Sequence, residues 1–395
     1  MQIAVSSPAA GIASNQKNSG ARRLMNIHRS IACAARALPL MIALCVALPA
    51  SAAIEAACRN ESRTHGQAQI VADAARRLAV ALNDAERAAL ERPFKREAAI
   101  HWSNLPIAIV PREGLRLGDL APTKAKAARN LLDAALSACG LELLDEIRLA
   151  DDQLAPLDTR KIGWGSGNYY LTLIGEPSSH APWILQVGGH HIAYNLTFNA
   201  RLAGVTPLFL GTEPISFVVD GKTHAPLRQQ SAAMSALAQA IASYPQAKLS
   251  GTFTDVVKGV VVVEVPGQMP KGGIDTGYPQ SYPTGDSDRG VRYAALTPDQ
   301  QALVRAALET YTALPGQLLT KRLVADYESP VALADTFIGY AGATDLSAKG
   351  SYVRIDGPRL WMEFIVQPAV ARPADLHYHA LWRDKVSDYG GEFAH

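Results

Sequence analysis

Ser351-Tyr-Val-Arg-Ile-Asp-Gly-Pro-Arg-Leu-Trp-Met-Glu-Phe-Ile-Val366 reads as two apolar, β-branched and aromatic runs split by Gly357-Pro358. That is the pattern of a β-hairpin, with a turn where glycine and proline interrupt both runs. Nine residues on comes Asp375-Leu-His-Tyr-His-Ala-Leu-Trp-Arg-Asp384, where His377 and His379 are spaced i, i+2. On an extended strand that spacing puts both imidazoles on one face. The hairpin therefore predicts an antiparallel sheet, and the histidines after it predict where its chemistry sits.

Working backward, Tyr169–Ile174, Trp183–Val187 and His191–Phe198 also read as strands, with Gly188-Gly189 marking a bend or bulge. Val256–Val265 is strongly β-branched, and Lys271–Arg292 is rich in Gly, Pro, Ser and Asp, the composition of a long irregular loop. Helical periodicity dominates the N-terminal part, over Thr64–Leu90 and again over Thr123–Cys139, where Gly140 stands in the position of a helix-ending residue. Further helices are predicted over Pro226–Ser243, and from Thr297-Pro298 to about Leu314. The expected fold is α+β. A helical N-terminal layer, residues 53–150, precedes an α+β region, 151–395, whose mostly antiparallel sheet has flanking helices, the two forming one integrated domain.

Residues 1–52 read as a secretion signal. Arg22, Arg23, His28 and Arg29 precede the apolar run Ala37–Leu48, and Pro49-Ala-Ser-Ala52 resembles a cleavage site. Met25 is a plausible true start. The run is too short for a bilayer span, so no stable membrane segment is expected after cleavage, and the expected location is periplasmic or secreted. Cys33 and Cys45 leave with the leader. Cys58 and Cys139 then remain in an oxidising compartment, either bridged or as separate buried thiols.

Of the 395 residues 48% are hydrophobic and 19% charged, enough for a sizeable core, and the net charge is only +2. There is no basic stripe with interleaved aromatics, so nucleic-acid binding is not expected. Gly163-Trp-Gly-Ser-Gly167 lacks the register of a nucleophile elbow, and no HExxH, phosphate-binding loop or dinucleotide fingerprint is present.

Four of the ten histidines fall in two tight groups: His377 with His379, and His190 with His191. Imidazole is a common ligand for zinc, copper and iron. Adjacent His190 and His191 face opposite sides of a regular strand, so one of them, with His191 favoured, joins the pair. His180 and His224 are weaker candidates in loops. Asp375, Asp384 and Asp388 are candidates to hold the outer ring nitrogens, although Arg383 and Asp384 also fit a simple ion pair. Glu213 and Glu363 sit at or within apolar runs, where a charge is costly unless it is paired or coordinated. Each is a candidate general base or further ligand, and Glu363 equally a partner for Arg354 or Arg359. Tyr278, Tyr282 and Tyr293 are candidates to line a pocket.

The ordered set Gly175-Glu-Pro-Ser178, Pro182-Trp183, Gln186, Gly189-His-His191, Asn195, Thr197, Gly211-Thr-Glu-Pro214, Arg354-Ile-Asp-Gly-Pro358, Trp361, Glu363, His377–Asp384 and Asp388-Tyr-Gly390 resembles the family called domain of unknown function 3500. The resemblance runs from about residue 65 to 393. It implies a secreted bacterial or fungal type of protein and no particular reaction.

The residues themselves point to an exported metal-dependent enzyme, most simply a hydrolase acting on a small molecule or peptide through a metal-activated water. The metal is a divalent ion, zinc by default, with copper or iron possible. Copper or non-haem iron oxidation, and a non-catalytic periplasmic binding protein with structural histidines, are the alternatives.

Overall fold

The computed structural model describes Cys58 and residues 67–199, 202–260, 262–263, 271–275, 281–315 and 317–393. The expected leader lies outside the described residues. The fold is α+β, built on a mixed sheet of twelve strands that is antiparallel except at one edge.

Eight strands carry the sheet: β1 (Tyr170–Ile174), β2 (Trp183–Gly189), β3 (Ile192–Phe198), β4 (Leu208–Thr212), β5 (Phe337–Ala341), β6 (Tyr352–Asp356), β7 (Leu360–Pro368) and β8 (Leu376–Asp384). Their spatial order is β1-β2-β3-β4-β8-β7-β6-β5. The chain thus lays down one antiparallel half, leaves the sheet, and returns to build a second half that joins the first through the β4–β8 pair. The hairpin expected over residues 351–366 is β6–β7, with Arg354 opposite Glu363. The short segments Glu91–Arg92 and Val291–Arg292 pair with β1 and β5 at the two edges.

Strand alternation divides the sheet into two faces. Leu185, Tyr194, Leu210, Met362, Phe364 and Trp382 point to one side, into a continuous buried core shared with the helices. The principal helices are α1 (Gln67–Ala81), α2 (Pro122–Ala135), α3 (Ala138–Leu154), α4 (Arg228–Ile241), α5 (Pro298–Thr312) and α6 (Gln317–Tyr327). α1 belongs there because Val71, Ala75, Leu78 and then Leu82 recur at helical spacing, all nearly inaccessible. Among the described residues no helix is long and apolar enough to cross a membrane.

Two helix boundaries differ from expectation. The periodic run 64–90 is broken at Asn83, whose side chain caps a separate helix, Asp84–Leu90, in a reciprocal capping box with Glu86. The run to Cys139 ends earlier, at Ala135. Ser137 then caps α3, so Gly140 lies inside a helix rather than after one. In both cases a local side-chain acceptor for the free N–H groups outweighed the continuing apolar period. The Thr297–Gln300 capping box opens α5 as expected. Cys58 and Cys139 are bridged, tying the N-terminal segment to α3. Within the β-branched stretch 256–265, only Val262–Val263 pairs as a strand among the described residues, with Lys271–Gly272.

The second face is smaller. Ile184, Ala193, Phe209, Leu381, Ile365 and Tyr352 form its floor, and Trp102, Leu249, Val256 and Tyr389 close over it from loops. Trp102 Nε1 donates to the Tyr389 hydroxyl at 2.8 Å, joining two of those coverings.

Candidate metal centre

The second face carries the histidines. Register fixes the row: Ile365 lies opposite His379 across β7–β8, and His379 lies opposite Gly211 across β8–β4. His377, one pleat further along β8, faces the same way. His191 enters from the turn between β2 and β3, where its carbonyl accepts from Gly211 N at 2.7 Å. Its φ of +68° is in the left-handed region that non-glycine residues seldom occupy. Such strain persists where surrounding structure holds it, often at a functional position. The turn is held by Tyr169, whose hydroxyl donates to His190 O at 2.6 Å, and by Arg112, whose guanidinium reaches Gly189 O at 3.2 Å.

The side chains of His191, His377 and His379 meet, all within 5% exposure. Their ligand atoms lie within 4.8 Å of one another, a grouping able to hold a metal ion. His377 Nε2 and His191 Nε2 are 2.8 Å apart. His379 Nε2 is buried and has no hydrogen-bond partner, the kind of orphaned atom that an interior normally avoids. Burial, then the neighbouring imidazoles, holds His191 and His377 well below the ordinary histidine range. Both are therefore neutral near pH 7 and keep the lone pair that a ligand needs. Glycine at 211 makes the convergence possible. A Cβ there would fall 2.8 Å from His191 Cδ2 and 2.9 Å from His379 Cδ2.

Of the outer nitrogens, that of His379 is hydrogen-bonded, whereas His377 Nδ1 is buried without a hydrogen-bond partner among the described residues. His379 Nδ1 lies 2.7 Å from Asp255 Oδ1, and His377 Nδ1 lies 3.9 Å from Glu213 Oε2. His190, the neighbour that the turn directs elsewhere, stacks on His191 with ring centroids 3.5 Å apart and places Nδ1 2.6 Å from Asp151 Oδ1. Asp151, His190 and His191 form a second grouping able to hold an ion.

The carboxylates expected around the site are redistributed. Asp384 is on the helical face, accepting from Tyr327 and Arg359 and from the N–H groups of Val386 and Ser387. Arg383 pairs with Asp275 and Asp388, not with Asp384. Asp375 is exposed at the start of β8. Their places are taken by Asp255 and Asp151, which no local pattern singles out. Glu213 does stand beside His377, with its two oxygens accepting from Val370 N at 2.8 Å and Ala371 N at 2.6 Å. Glu363 lies in the next row, opposite Leu381. It is enclosed by four donors: Val257 N, Lys258 N at 2.9 Å, the Tyr352 hydroxyl at 2.8 Å and Trp361 Nε1. It is not brought into either histidine grouping, and neither Arg354 nor Arg359 is its hydrogen-bond partner: Arg354 donates to Asp288 O, and Arg359 to Asp326, Asp384 and Ser387. His180 is exposed in a loop, and His224 stacks on Phe217 beside Glu146, both away from the cluster. Tyr278 lies outside the described residues. Tyr282 stacks near Trp361 while Tyr293 sits under Arg305, so those two do not share a pocket wall.

A family model described as protein of unknown function (DUF3500) matches residues 64–391. No curated protein and no solved structure matches the chain.

Proposed function

The chain belongs to the DUF3500 family, a membership that brings no activity with it, and from the site we propose a metal-dependent hydrolase of the exported kind. The observation that carries the reading is the buried meeting of three imidazoles, His191, His377 and His379, the last with an unpartnered Nε2. A divalent ion held by these nitrogens would supply a Lewis acid and a water-derived nucleophile at neutral pH. Three protein ligands with a position left for substrate is the usual composition of a catalytic zinc site.

The chain's own residues divide the remaining work. Asp255 accepts from His379 Nδ1, fixing its tautomer so that Nε2 offers the lone pair. Glu213 faces the outer side of His377 and clamps the Val370–Ala371 backbone against it. Asp151 accepts from His190 Nδ1, which leaves His190 Nε2 as a proton acceptor beside the cluster, the arrangement of an oriented general base. Zinc and copper both suit three imidazoles. The three-histidine grouping contains no carboxylate, unlike the iron pattern of two histidines and one carboxylate.

The test is elemental analysis of untagged protein lacking residues 1–52, beside a His377→Ala/His379→Ala double variant. Near-stoichiometric zinc or copper in the first, lost in the second with the fold kept, is the expected result. No bound metal in a folded wild type after exposure to each ion would refute the proposal.

A further inference from the structure

Beside the histidines, on the same face, a second polar cluster gathers around Trp361. Tyr282 packs against it with ring centroids 5.2 Å apart. Three cations converge on the two rings. The Arg354 guanidinium lies 4.8 Å from the Trp361 centroid. Lys258 Nζ is 5.4 Å from Tyr282 and 5.9 Å from Trp361, and Lys385 Nζ is 4.8 and 5.5 Å from the same rings. Stacking on aromatic faces stabilises each cation.

The acids nearby are already committed. Glu363 is enclosed by its four donors. Asp356 accepts from Arg289 as well as from Lys385. Behind them Arg383 is shared by Asp275 and Asp388. Two donors inside the cluster are idle among the described residues: Arg354 Nε, on a side chain only 4% exposed, and the buried hydroxyl of Tyr282. Burial also pulls both lysines below their ordinary range, with Arg354 adding to the effect on each. An unpartnered buried guanidinium nitrogen costs free energy unless an acceptor completes it.

We propose that this cluster binds an oxyanion, the carboxylate or phosphate group of the substrate, between Tyr282, Trp361, Lys258, Arg354 and Lys385. Its connection to the histidines rests on the hydrolase reading. From the register, Arg354 is two strands and one pleat from His379, about 12 Å between Cα atoms. An acidic substrate of modest size, anchored here at its charged end, reaches the histidines with a bond some few atoms away. The cluster adds specificity for an acidic substrate through charge-assisted hydrogen bonds.

The binding step is tested on chelator-treated protein, with calorimetric titration of sodium phosphate and, separately, sodium acetate at ionic strength held constant with chloride. Saturable binding of one or both anions is expected, and which one binds distinguishes phosphate from carboxylate chemistry. Lys258→Met and Tyr282→Phe should each weaken binding at least fivefold, and Lys321→Met on the exposed side of α6 should leave it unchanged. Tyr282→Phe removes a single oxygen, so the comparison survives if the lysine change perturbs the fold. No saturable binding beyond chloride, or equal binding by all variants, overturns the proposal. Because the protein is metal-free, that failure leaves the histidine site untouched, and a failed metal titration leaves anion binding measurable.

Discussion

His377 Nε2 lies 2.8 Å from His191 Nε2 across a sequence gap of 186 residues. Two neutral imidazoles at that distance share one proton, one ring donating and the other accepting. The contact brings two ring nitrogens together within 4.8 Å of a ligand atom of His379, and an ion would replace the shared proton.

Gly211 is the floor beneath that contact, which makes it a sharper probe than the histidines themselves. Gly211→Ala should lower zinc affinity at least tenfold, because the new methyl would displace both His191 and His379. Overpacking of this kind costs about 1–3 kcal/mol of stability. Gly188→Ala is the matched control. Nothing lies within 4 Å of a Cβ at that position, so both affinity and stability should stay near wild type. Chelator competition and denaturant melts on the two variants decide it. Equal zinc affinity in both would show that the ions bind elsewhere.

Asp255 is linked to the site by one contact and is more than a third exposed, so its role separates from folding. Asp255→Asn should weaken zinc binding by about 10–100-fold, the usual effect of losing an orienting carboxylate. Stability should change by less than about 1 kcal/mol. The readout is competition against a chromogenic chelator with a parallel thermal melt.

Glu363 gives the opposite signature. Its four donors match a carboxylate, which only accepts. Glu363→Gln turns an amide N–H toward some of those donors and leaves them unpaired in the interior. A loss of about 2–4 kcal/mol is expected in chemical denaturation, with zinc affinity of the folded protein unchanged. A stable variant with abolished metal binding would instead place Glu363 in the centre.

Asp388 makes stability pH-dependent in a defined direction. Burial pushes its carboxyl up to about 6, against the pull of Arg383, which it shares with Asp275. The folded value lies above the ordinary value of 3.8. The native state therefore favours the protonated form, and this contribution is complete below pH 3.8 and lost as pH rises through about 6. The stability of wild type relative to Asp388→Asn should fall across that window, by on the order of 2–3 kcal/mol. Urea melts at half-unit pH steps measure it, and a flat or rising difference contradicts the assignment.

Much of the sheet was legible because its signals are local. Gly357-Pro358 between two β-rich runs became the β6–β7 hairpin, and the i, i+2 histidines of β8 face one side as strand geometry requires. The capping box at Thr297 was equally readable. Asn83 and Ser137 were not, since each ends a helix inside a run whose apolar period continues. Choosing His191 over His190 depended on a left-handed turn that the sequence marks only by Gly188-Gly189. Asp255 and Asp151 were invisible because nothing near them in the chain distinguishes them. They acquire a role through contacts 124 and 39 residues distant. Asp384 misled for the converse reason: it lies on the histidine strand itself but at the opposite parity, so it points to the other side of the sheet.

The β4–β8 pair is the only ladder joining the two halves of the described sheet, and the three histidines straddle it. His191 and Gly211 come from the first half, His377 and His379 from β8, the last strand among the described residues. No fragment ending before β8 can assemble the site, however well its own strands are paired. Closing such a distant ladder is a late and slow event in folding. Ion capture would then follow closure of that ladder, and an ion once captured would rivet the seam against reopening.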